Sequence, residues 1–524
     1  MEIIKNNFKN EFMKKIYLFV STSLFLLLGC ITACDDNSLS HDEVYIPDPM
    51  IISDEDDGLS PEPSTESIIR IQPESKQQEI DGFGCNFGWA EAVYGCTKRE
   101  QLMDDLYGEN GLRFNIYRGE VCASSASEDG KTFNFKTQEN YHLGAHSAEA
   151  KALFSSNADK FKEYAQLWII DYLCKKKLMD IYYFFSVWTP PVVWKSGDGE
   201  TATSGSGSFN SKYSKEYAEF LTGFAKAFKE KFGINVYGIS GWNEPDQAMG
   251  GWDGCMWGNQ QMADFVMDNL RPELNRQGLQ DTKIVYGELP WWANAVKWIE
   301  TALKDNPELV DANIVAAGHG YSTVDANILP MKTAEENGVH VWQTETCDDK
   351  TRDETWNDAM KWAKNYHDYL TKARTNAVVW WAGARQCSTT GENLLQTNAW
   401  DFSTDYYRID RYYSIGQFSR YIKRGSTRVD VETVSTTANR IPRDLSASAY
   451  IKDDTYTIVL VNKSKSKAFD ALLEIEGKEF ESMVSYTSNS SVKWFRKKLN
   501  PSSTGKRSVN VPKYSVVTIT GRFK

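Results

Sequence analysis

Val236–Asp246 reads V-Y-G-I-S-G-W-N-E-P-D. Val236 to Ser240 has the look of a short buried strand. The chain leaves it through Gly241-Trp242-Asn243-Glu244-Pro245, which sets a carboxylate just past the strand, an amide before it and a rigid turn after it. Taken alone, such a motif is equally compatible with a solvated strand-to-helix turn. A second stretch decides the matter. V-H-V-W-Q-T-E-T-C, from Val339 to Cys347, closes another apolar strand on a glutamate, Glu345.

Working outward from these two, apolar runs alternate with amphipathic ones. The runs predicted as strands are Gly82–Trp89, Leu112–Tyr117, Ile181–Trp188, Val236–Ser240, Lys283–Gly287, Ile314–Ala317, Val339–Thr344 and Ala377–Trp381. Helical spacing marks Lys98–Leu106, Ala148–Lys177, Ser214–Phe232 and Glu354–Arg374. Eight strands alternating with helices predict an α/β fold, a (β/α)8 TIM barrel, here over residues 80–416. From residue 417 the pattern changes to short strands joined by polar turns, among them Arg428–Glu432, Leu445–Ile451, Thr455–Val461, Asp470–Ile475, Met483–Thr487 and Ser515–Ile519. This predicts an attached all-β sandwich over residues 417–524. The early strand Ile68–Gln72 has no partner in the barrel pattern, so residues 67–79 are assigned to the sandwich.

The first 34 residues read as an export signal. Met13-Lys14-Lys15 is followed by an apolar stretch, Ile16–Leu28, that is short for a bilayer span. Leu27-Leu28-Gly29-Cys30 and Ile31-Thr32-Ala33-Cys34 both resemble a bacterial lipobox. Cys34 is the preferred lipidation site, with Cys30 the alternative, because Asp35-Asp36 follows Cys34 in the manner of surface lipoproteins. Residues 35–66 carry eleven acidic side chains and no Lys or Arg, the composition of a flexible tether. The expected location is therefore the outer membrane or cell surface of a Gram-negative bacterium, with membrane contact through a lipid anchor only. Beyond Cys34, seven cysteines remain and none has C-x-x-C spacing, so no zinc or redox motif is indicated. The net charge of −12, with no basic patch to neutralise phosphates, argues against a nucleic-acid partner and favours a neutral or weakly charged ligand. Sixteen of the 17 tryptophans fall between Trp89 and Trp400, enough to supply stacking surfaces as well as core.

Barrel enzymes work at the C-terminal ends of their strands. Those ends collect Trp89 and Glu91; Arg118 and Glu120; Trp188 and Trp194; Asn243 and Glu244; Glu288 with Trp291 and Trp292; His319 and Tyr321; Glu345; Trp381 and Arg385. Glu244 and Glu345 close the fourth and seventh strands and should face each other across the mouth. Two carboxylates flanking one bond are what glycoside hydrolysis needs, one protonated and one ionised. Trp188, Trp194, Trp291, Trp292 and Trp381 are read as sugar platforms or as core. Trp168, Trp356 and Trp362 lie on helical runs and are read as packing. His319 is the single histidine at a strand end. A metal barrel needs a cluster, so His319 is assigned a sugar hydrogen bond. Arg118 is read as orienting Glu345. Glu288 rivals Glu244 as acid but lacks the preceding Asn. No G-x-S-x-G stands near a strand end, so a serine hydrolase is unsupported.

Ile80-Asp81-Gly82-Phe83-Gly84, Trp188-Thr189-Pro190-Pro191, Trp242-Asn243-Glu244-Pro245, Trp342-Gln343-Thr344-Glu345 and Gln417–Ser426 occur in this order, and together they resemble glycoside hydrolase family 30. The resemblance implies Glu244 as acid/base, Glu345 as nucleophile, and Asn243 on the 2-hydroxyl of the sugar being cleaved. It also implies a retaining mechanism without cofactor or metal. The remaining substrate-binding candidates are Trp89, Arg118, Trp188, Trp291, His319, Tyr321 and Trp381. Gly318-His319-Gly320-Tyr321 and Val379–Arg385 are most similar to the xylanase branches. Cys85 departs from the glycine of many members, and no arginine-rich glucuronate segment is evident. The expected activity is endo-β-1,4-xylan hydrolysis by a monomer. β-1,6-Galactan, β-1,6-glucan and exo-acting cleavage stay open, and the rival of another class is a catalytically silent glycan-binding lipoprotein.

Overall fold

The computed structural model describes residues 52–53, 67–121, 139–145, 147–177, 180–196, 207–247, 253–321, 325–386, 390–397, 405–435, 443–501 and 505–524. The export signal, Cys30 and Cys34, almost all of the acidic stretch, Cys122 and Cys387 lie outside them.

Eight parallel strands close into a barrel: Gly82–Asn86, Ile116–Glu120, Tyr182–Ser186, Gly238–Ser240, Lys283–Leu289, Ile314–His319, Val341–Glu345 and Ala377–Gln386. Closure runs through Trp342 beside Ala377 and Ala377 beside Gly82. Alternation along each strand divides the interior in two. Ile116, Phe184, Val285, Val315, Ala317, Trp342, Ala377 and Val379 fill the lumen, with Phe184 edge-on to Trp342 at 5.6 Å. Their neighbours, such as Tyr117, Phe185, Ile284, Ala316 and Trp380, face the helices instead. The lumen is thus a packed plug and leaves only the mouth for a ligand. The two glycines of Asp81-Gly82-Phe83-Gly84 answer to close approach. A Cβ at Gly82 would meet Asn115 Oδ1 at 1.9 Å, and one at Gly84 would meet the Ile116 carbonyl at 2.0 Å.

The outer helices follow their apolar stripes. Ser214–Phe232 buries Tyr217, Phe220, Leu221, Phe224 and Phe228, the i, i+3, i+4 spacing of one helix face. It ends at Gly233, whose φ of 73° is the left-handed conformation that closes a helix. The predicted helix 148–177 is two helices, Ala148–Ser156 and Ala158–Lys176. Asn157 breaks it by leaving helical geometry, and its side chain accepts from the Lys160 N–H. The second strand begins at Ile116, later than expected, because Arg113 sits at φ 54°.

The all-β domain is one ten-stranded sheet curled over its own core. Ser67–Ile80 lies inside it, antiparallel to Ser426–Ser435 and parallel to Phe469–Ile475. Leu445–Lys452, Thr455–Asn462, Ser515–Phe523 and Phe480–Ser488 continue the sheet on one side. Three of its strands were not read from sequence: Phe495–Leu499, three of whose five side chains are basic, Arg507–Val511, and Ile52–Ser53, which falls in the stretch expected to be a tether and pairs parallel with Phe495–Leu499. The helix Asp410–Ser419 joins the domains. Gly416 on it lies flat against Trp494, whose indole N–H donates to the Tyr413 carbonyl at 2.8 Å. Arg424, just beyond, stacks on Tyr182 at 3.5 Å and donates to the Asp81 and Asn115 carbonyls at the base of the barrel. Cys85, Cys174, Cys255 and Cys347 are free thiols. No described helix is long and apolar enough to cross a membrane.

Candidate active site

Trp242 anchors the loop after the fourth strand. It is buried edge-on against Trp257 and Tyr286, at 5.6 and 5.7 Å. This leaves Asn243 and Glu244 at the mouth. Glu244 adopts φ 49°, and its N–H donates to the Glu288 carbonyl at 3.0 Å. Glu288 itself adopts φ 55°. Left-handed backbone at a non-glycine residue costs roughly 1–3 kcal/mol and gathers at functional sites. Two such glutamates side by side mark this end of the barrel.

Arg118, from the end of the second strand, organises the floor. Its guanidinium holds Glu345 Oε2, donates to Asn243 Oδ1 at 2.7 Å, and lies 3.1 Å from Glu288 Oε1. It also rests on the Trp188 ring at 4.8 Å. Ser186 donates to Glu288 Oε2 at 2.7 Å. Tyr321 donates to Glu345 Oε1 at 2.6 Å, so Glu345 accepts on both oxygens. His319 Nδ1 lies 3.2 Å from Glu244 Oε1 and 3.8 Å from Glu345 Oε1. One oxygen of Glu244, one of Glu345 and a His319 nitrogen all lie within 4.8 Å of one another.

Burial pushes the Glu244 carboxyl above its ordinary value, against the lowering pull of the His319 hydrogen bond and charge. Burial acts the same way on Glu288, but there the Arg118 charge, the neighbouring His319 charge and the Ser186 hydrogen bond win, and its pKa falls. For His319 burial favours the neutral ring. The Glu345 charge, the hydrogen bond to Glu244 and the nearby Glu288 carboxylate outweigh it and raise His319 to about 9. Three carboxyl groups thus share two cations, Arg118 and the His319 imidazolium. With Glu244 raised and Glu288 lowered, Glu244 is placed to keep a proton where Glu288 is not.

Above this floor opens a cleft of about 630 Å³. Trp89, Trp188 and Trp381 form one wall, with Trp89 edge-on to Trp188 at 5.0 Å and tilted against Trp381 at 5.2 Å. Trp291, 43% exposed, stands on another side near Pro290 and Tyr321. Of the residues singled out from sequence, Asn243, Glu244, Glu345, Trp89, Trp188, Trp291, Tyr321, Trp381 and Arg385 line the cleft. Arg118 and His319 do not. Both are 0% exposed, so they touch the carboxylates from beneath, and the sugar contact expected of His319 has no surface to form on. Trp194 and Trp292 are core: Trp194 packs on Tyr217 and Phe220, and the Trp292 indole donates to the Leu329 carbonyl at 2.7 Å. Trp168, Trp356 and Trp362 are buried. Glu120 is drawn away into an ion pair with Lys162, which in turn lies 4.1 Å from the Trp89 ring. Glu91 is absent from the cleft lining. Sequence reasoning missed Ser186, Gln247, Asp349 and Glu392. Ser186 ends the third strand and was open to the same strand-end rule, whereas Asp349 and Glu392 sit in loops that carry no motif.

Glu244, His319 and Glu345 have the donor types for a cation. The charge such an ion would bring is already supplied by Arg118 on Glu345, and Tyr321 occupies the other Glu345 oxygen. The donor set fits a proton-transfer site better than a metal cage.

A family model described as Glycosyl hydrolase family 59 matches residues 144–400. Glucuronoxylanase XynC of Bacillus subtilis is 25% identical over 292 residues, 54% of this chain and 60% of that protein, so the chain spans less than two thirds of that relative's length. An endo-1,6-beta-D-glucanase of Neurospora crassa is 21% identical over 452 residues, 80% of this chain and 86% of that one. The crystal structure of a glycoside hydrolase family 30 subfamily 8 xylanase, Xyn30A, from Clostridium acetobutylicum superposes with a TM-score of 0.65 at 22% identity, covering 87% of this chain and 99% of that one. The chain therefore shares the fold of that xylanase, a closed eight-stranded parallel barrel with a separate all-β domain, and over residues 144–400 is similar to glycosyl hydrolase family 59.

Proposed function

We propose that this protein is a retaining glycoside hydrolase that cleaves β-linked plant polysaccharide, with endo-β-1,4-xylan as its substrate. The observation that carries the reading is the approach of Glu244 and Glu345 to within 4.8 Å, oxygen to oxygen. Retaining pairs sit about 5–5.5 Å apart, whereas inverting pairs stand about 6.5–9.5 Å apart to admit a water. Glu345 attacks the anomeric carbon as Glu244 passes its proton to the glycosidic oxygen. The carbon–oxygen bond to the leaving sugar breaks and a glycosyl ester forms on Glu345. Glu244, now ionised, takes a proton from water, which displaces Glu345 and restores both groups. Arg118 and Tyr321 hold Glu345 in line for attack, and His319 supports the charge that Glu244 acquires between the two steps. With its Oδ1 committed to Arg118, Asn243 offers its amide NH2 to the sugar 2-hydroxyl. Trp89, Trp188, Trp291 and Trp381 stack the flanking sugars.

The second reading is β-1,6-glucan, favoured by the greater length of chain matched by the Neurospora crassa glucanase. Product analysis decides between them. The protein lacking residues 1–34 is incubated with glucuronoxylan, arabinoxylan, β-1,6-galactan and β-1,6-glucan, beside Glu345→Gln. Oligosaccharides from xylan with retained anomeric configuration, absent from the variant, are expected. Products from β-1,6-glucan alone transfer the reading to that polymer. Binding without cleavage leaves a glycan-capture protein. The location we propose, a monomer tethered to the outer membrane through lipidated Cys34, is tested by fatty-acid labelling that Cys34→Ala abolishes and Cys30→Ala does not.

A further inference from the structure

The described cleft lining carries four carboxylates, Glu244, Glu345, Asp349 and Glu392, and one cation, Arg385. Glu244 and Glu345 are engaged in the floor. Glu392 has no part in the proposed chemistry, yet it is held as firmly as they are. Its Oε2 takes the Arg385 guanidinium at 2.5 Å and the Trp381 indole N–H at 3.3 Å. Its Oε1 accepts from the Thr390 hydroxyl at 2.6 Å, and its carbonyl accepts the Trp380 indole N–H at 2.5 Å. Arg385 is pinned as well: its N–H donates to Asn393 Oδ1 at 2.8 Å, and its carbonyl accepts from Thr397 at 2.7 Å. Its guanidinium lies 5.9 Å from both the Trp89 and the Trp381 rings, at the edge of the stacking wall, with 23% of the side chain exposed.

An arginine set among tryptophan platforms would ordinarily recruit a carboxylate or other anion from a ligand. Here that recruitment has been made internally. We infer that Glu392 is a specificity-determining residue: by neutralising Arg385 it leaves the cleft net negative, so that the cleft selects neutral glycan chains and rejects those bearing acidic side groups near the stacking wall. This rests on the reading of the cleft as a glycan site. The same carboxylate orients the Trp381 indole, which couples selection to the platform that the chain stacks on. Rejection here is electrostatic, an unfavourable juxtaposition rather than a missing contact.

The test is a binding comparison made with catalysis removed. Glu345→Gln serves as background, and dissociation constants are measured for neutral xylo-oligosaccharides and for the same oligosaccharides carrying a glucuronic acid. The background protein should bind the neutral ligand more tightly. Adding Glu392→Gln, which keeps the shape and removes the charge, should improve relative binding of the acidic ligand by about tenfold, the scale of one charge-assisted contact. Adding Arg385→Gln to that protein should cancel the gain, and added salt should narrow every difference. Neutral-ligand binding by each variant confirms that it is folded. An unchanged acidic-to-neutral ratio in Glu392→Gln, or tighter binding of the acidic ligand by the background protein, overturns the inference. A parallel assay of the unsubstituted enzyme on neutral polymer reports separately on hydrolysis, so a protein that binds with the expected preference but cuts nothing refutes the catalytic reading alone. A protein that binds neither ligand refutes the xylan assignment and, with it, this inference.

Discussion

At the base of the barrel, Asp81 Oδ2 accepts from the Trp342 indole and from His340 Nδ1, each at 2.7 Å, and Arg424 bonds the carbonyls around it. At the mouth, three carboxyl groups crowd one arginine and one histidine, two of those glutamates adopt left-handed backbone, and the nearest approach of His319 Nε2 to Glu288 is 3.9 Å, too long for a hydrogen bond. Both ends bury charge. The base pairs each charge with a partner that asks nothing more of it, which is how buried polar groups support stability. The mouth holds a transferable proton on Glu244 among opposing charges. That difference separates a structural network from one arranged to move a proton, and it can be broken from either side.

The largest effect belongs to Glu345→Gln. Loss of a nucleophile that forms the covalent intermediate should lower kcat about ten-thousandfold or more. The melting temperature should hold or rise, since one member of a like-charged cluster is gone. A large fall in both activity and melting temperature would mean that the mouth is organised for stability as the base is.

Next comes Glu244→Gln, with a loss of about a hundredfold to ten-thousandfold. Its sharper signature is in pH. The first step needs protonated Glu244, whose pKa burial raises, so activity should persist above the ordinary carboxylate range and fall as pH climbs through the raised value. Glu244→Gln should erase that basic limb. His319 stays charged up to about 9 and lowers Glu244 by hydrogen bond and charge. His319→Gln should therefore move the basic limb to higher pH, and a limb that moved down or stayed fixed would sever His319 from the proton.

The base responds differently. Asp81→Asn removes the charge on which Trp342 and His340 converge and should cost about 1–3 kcal/mol in denaturant unfolding, with kcat unchanged in the protein that remains folded. The Asp81 hydrogen bond raises His340 against the opposing effect of burial. A raised folded value means the stabilisation is fully present below the ordinary histidine pKa and is lost as pH rises through the folded one. The deficit of Asp81→Asn should thus be larger at about pH 5.5 than at about pH 8.5. An equal deficit at both would place the whole cost on Trp342.

Much of this was legible in the sequence, and the limits have physical causes. The eight barrel strands announce themselves because each is buried on both faces and reads as a continuous apolar run. Glu244 and Glu345 stand out because the strand-end rule turns a linear position into a place at the mouth. The same rule could not say how deep a side chain lies. It set His319 beside the ligand, whereas the structure puts it beneath the carboxylates at 0% exposure. Depth depends on what covers a residue, here Tyr321 and the Glu244 loop, and no spacing encodes that. Glu392 was invisible for a related reason: it belongs to a loop, and its meaning comes only from Arg385 and Trp381 folded against it. Trp291 and Trp292 make the point with adjacent residues, since only burial tells the platform from the core.

Trp291 also sets the smallest predicted effect. Its ring is 43% exposed on the cleft wall, and none of the polar contacts of the floor passes through it. A sugar stacked there gains about 0.5–1.5 kcal/mol, equally in the ground state and the transition state. Trp291→Ala should then raise KM by about two- to tenfold and leave kcat and the melting temperature alone. Were kcat to fall instead, Trp291 would be contributing to the alignment of the scissile bond. The boundary between a floor that does chemistry and walls that only hold the chain would then lie one residue layer higher than the geometry draws it.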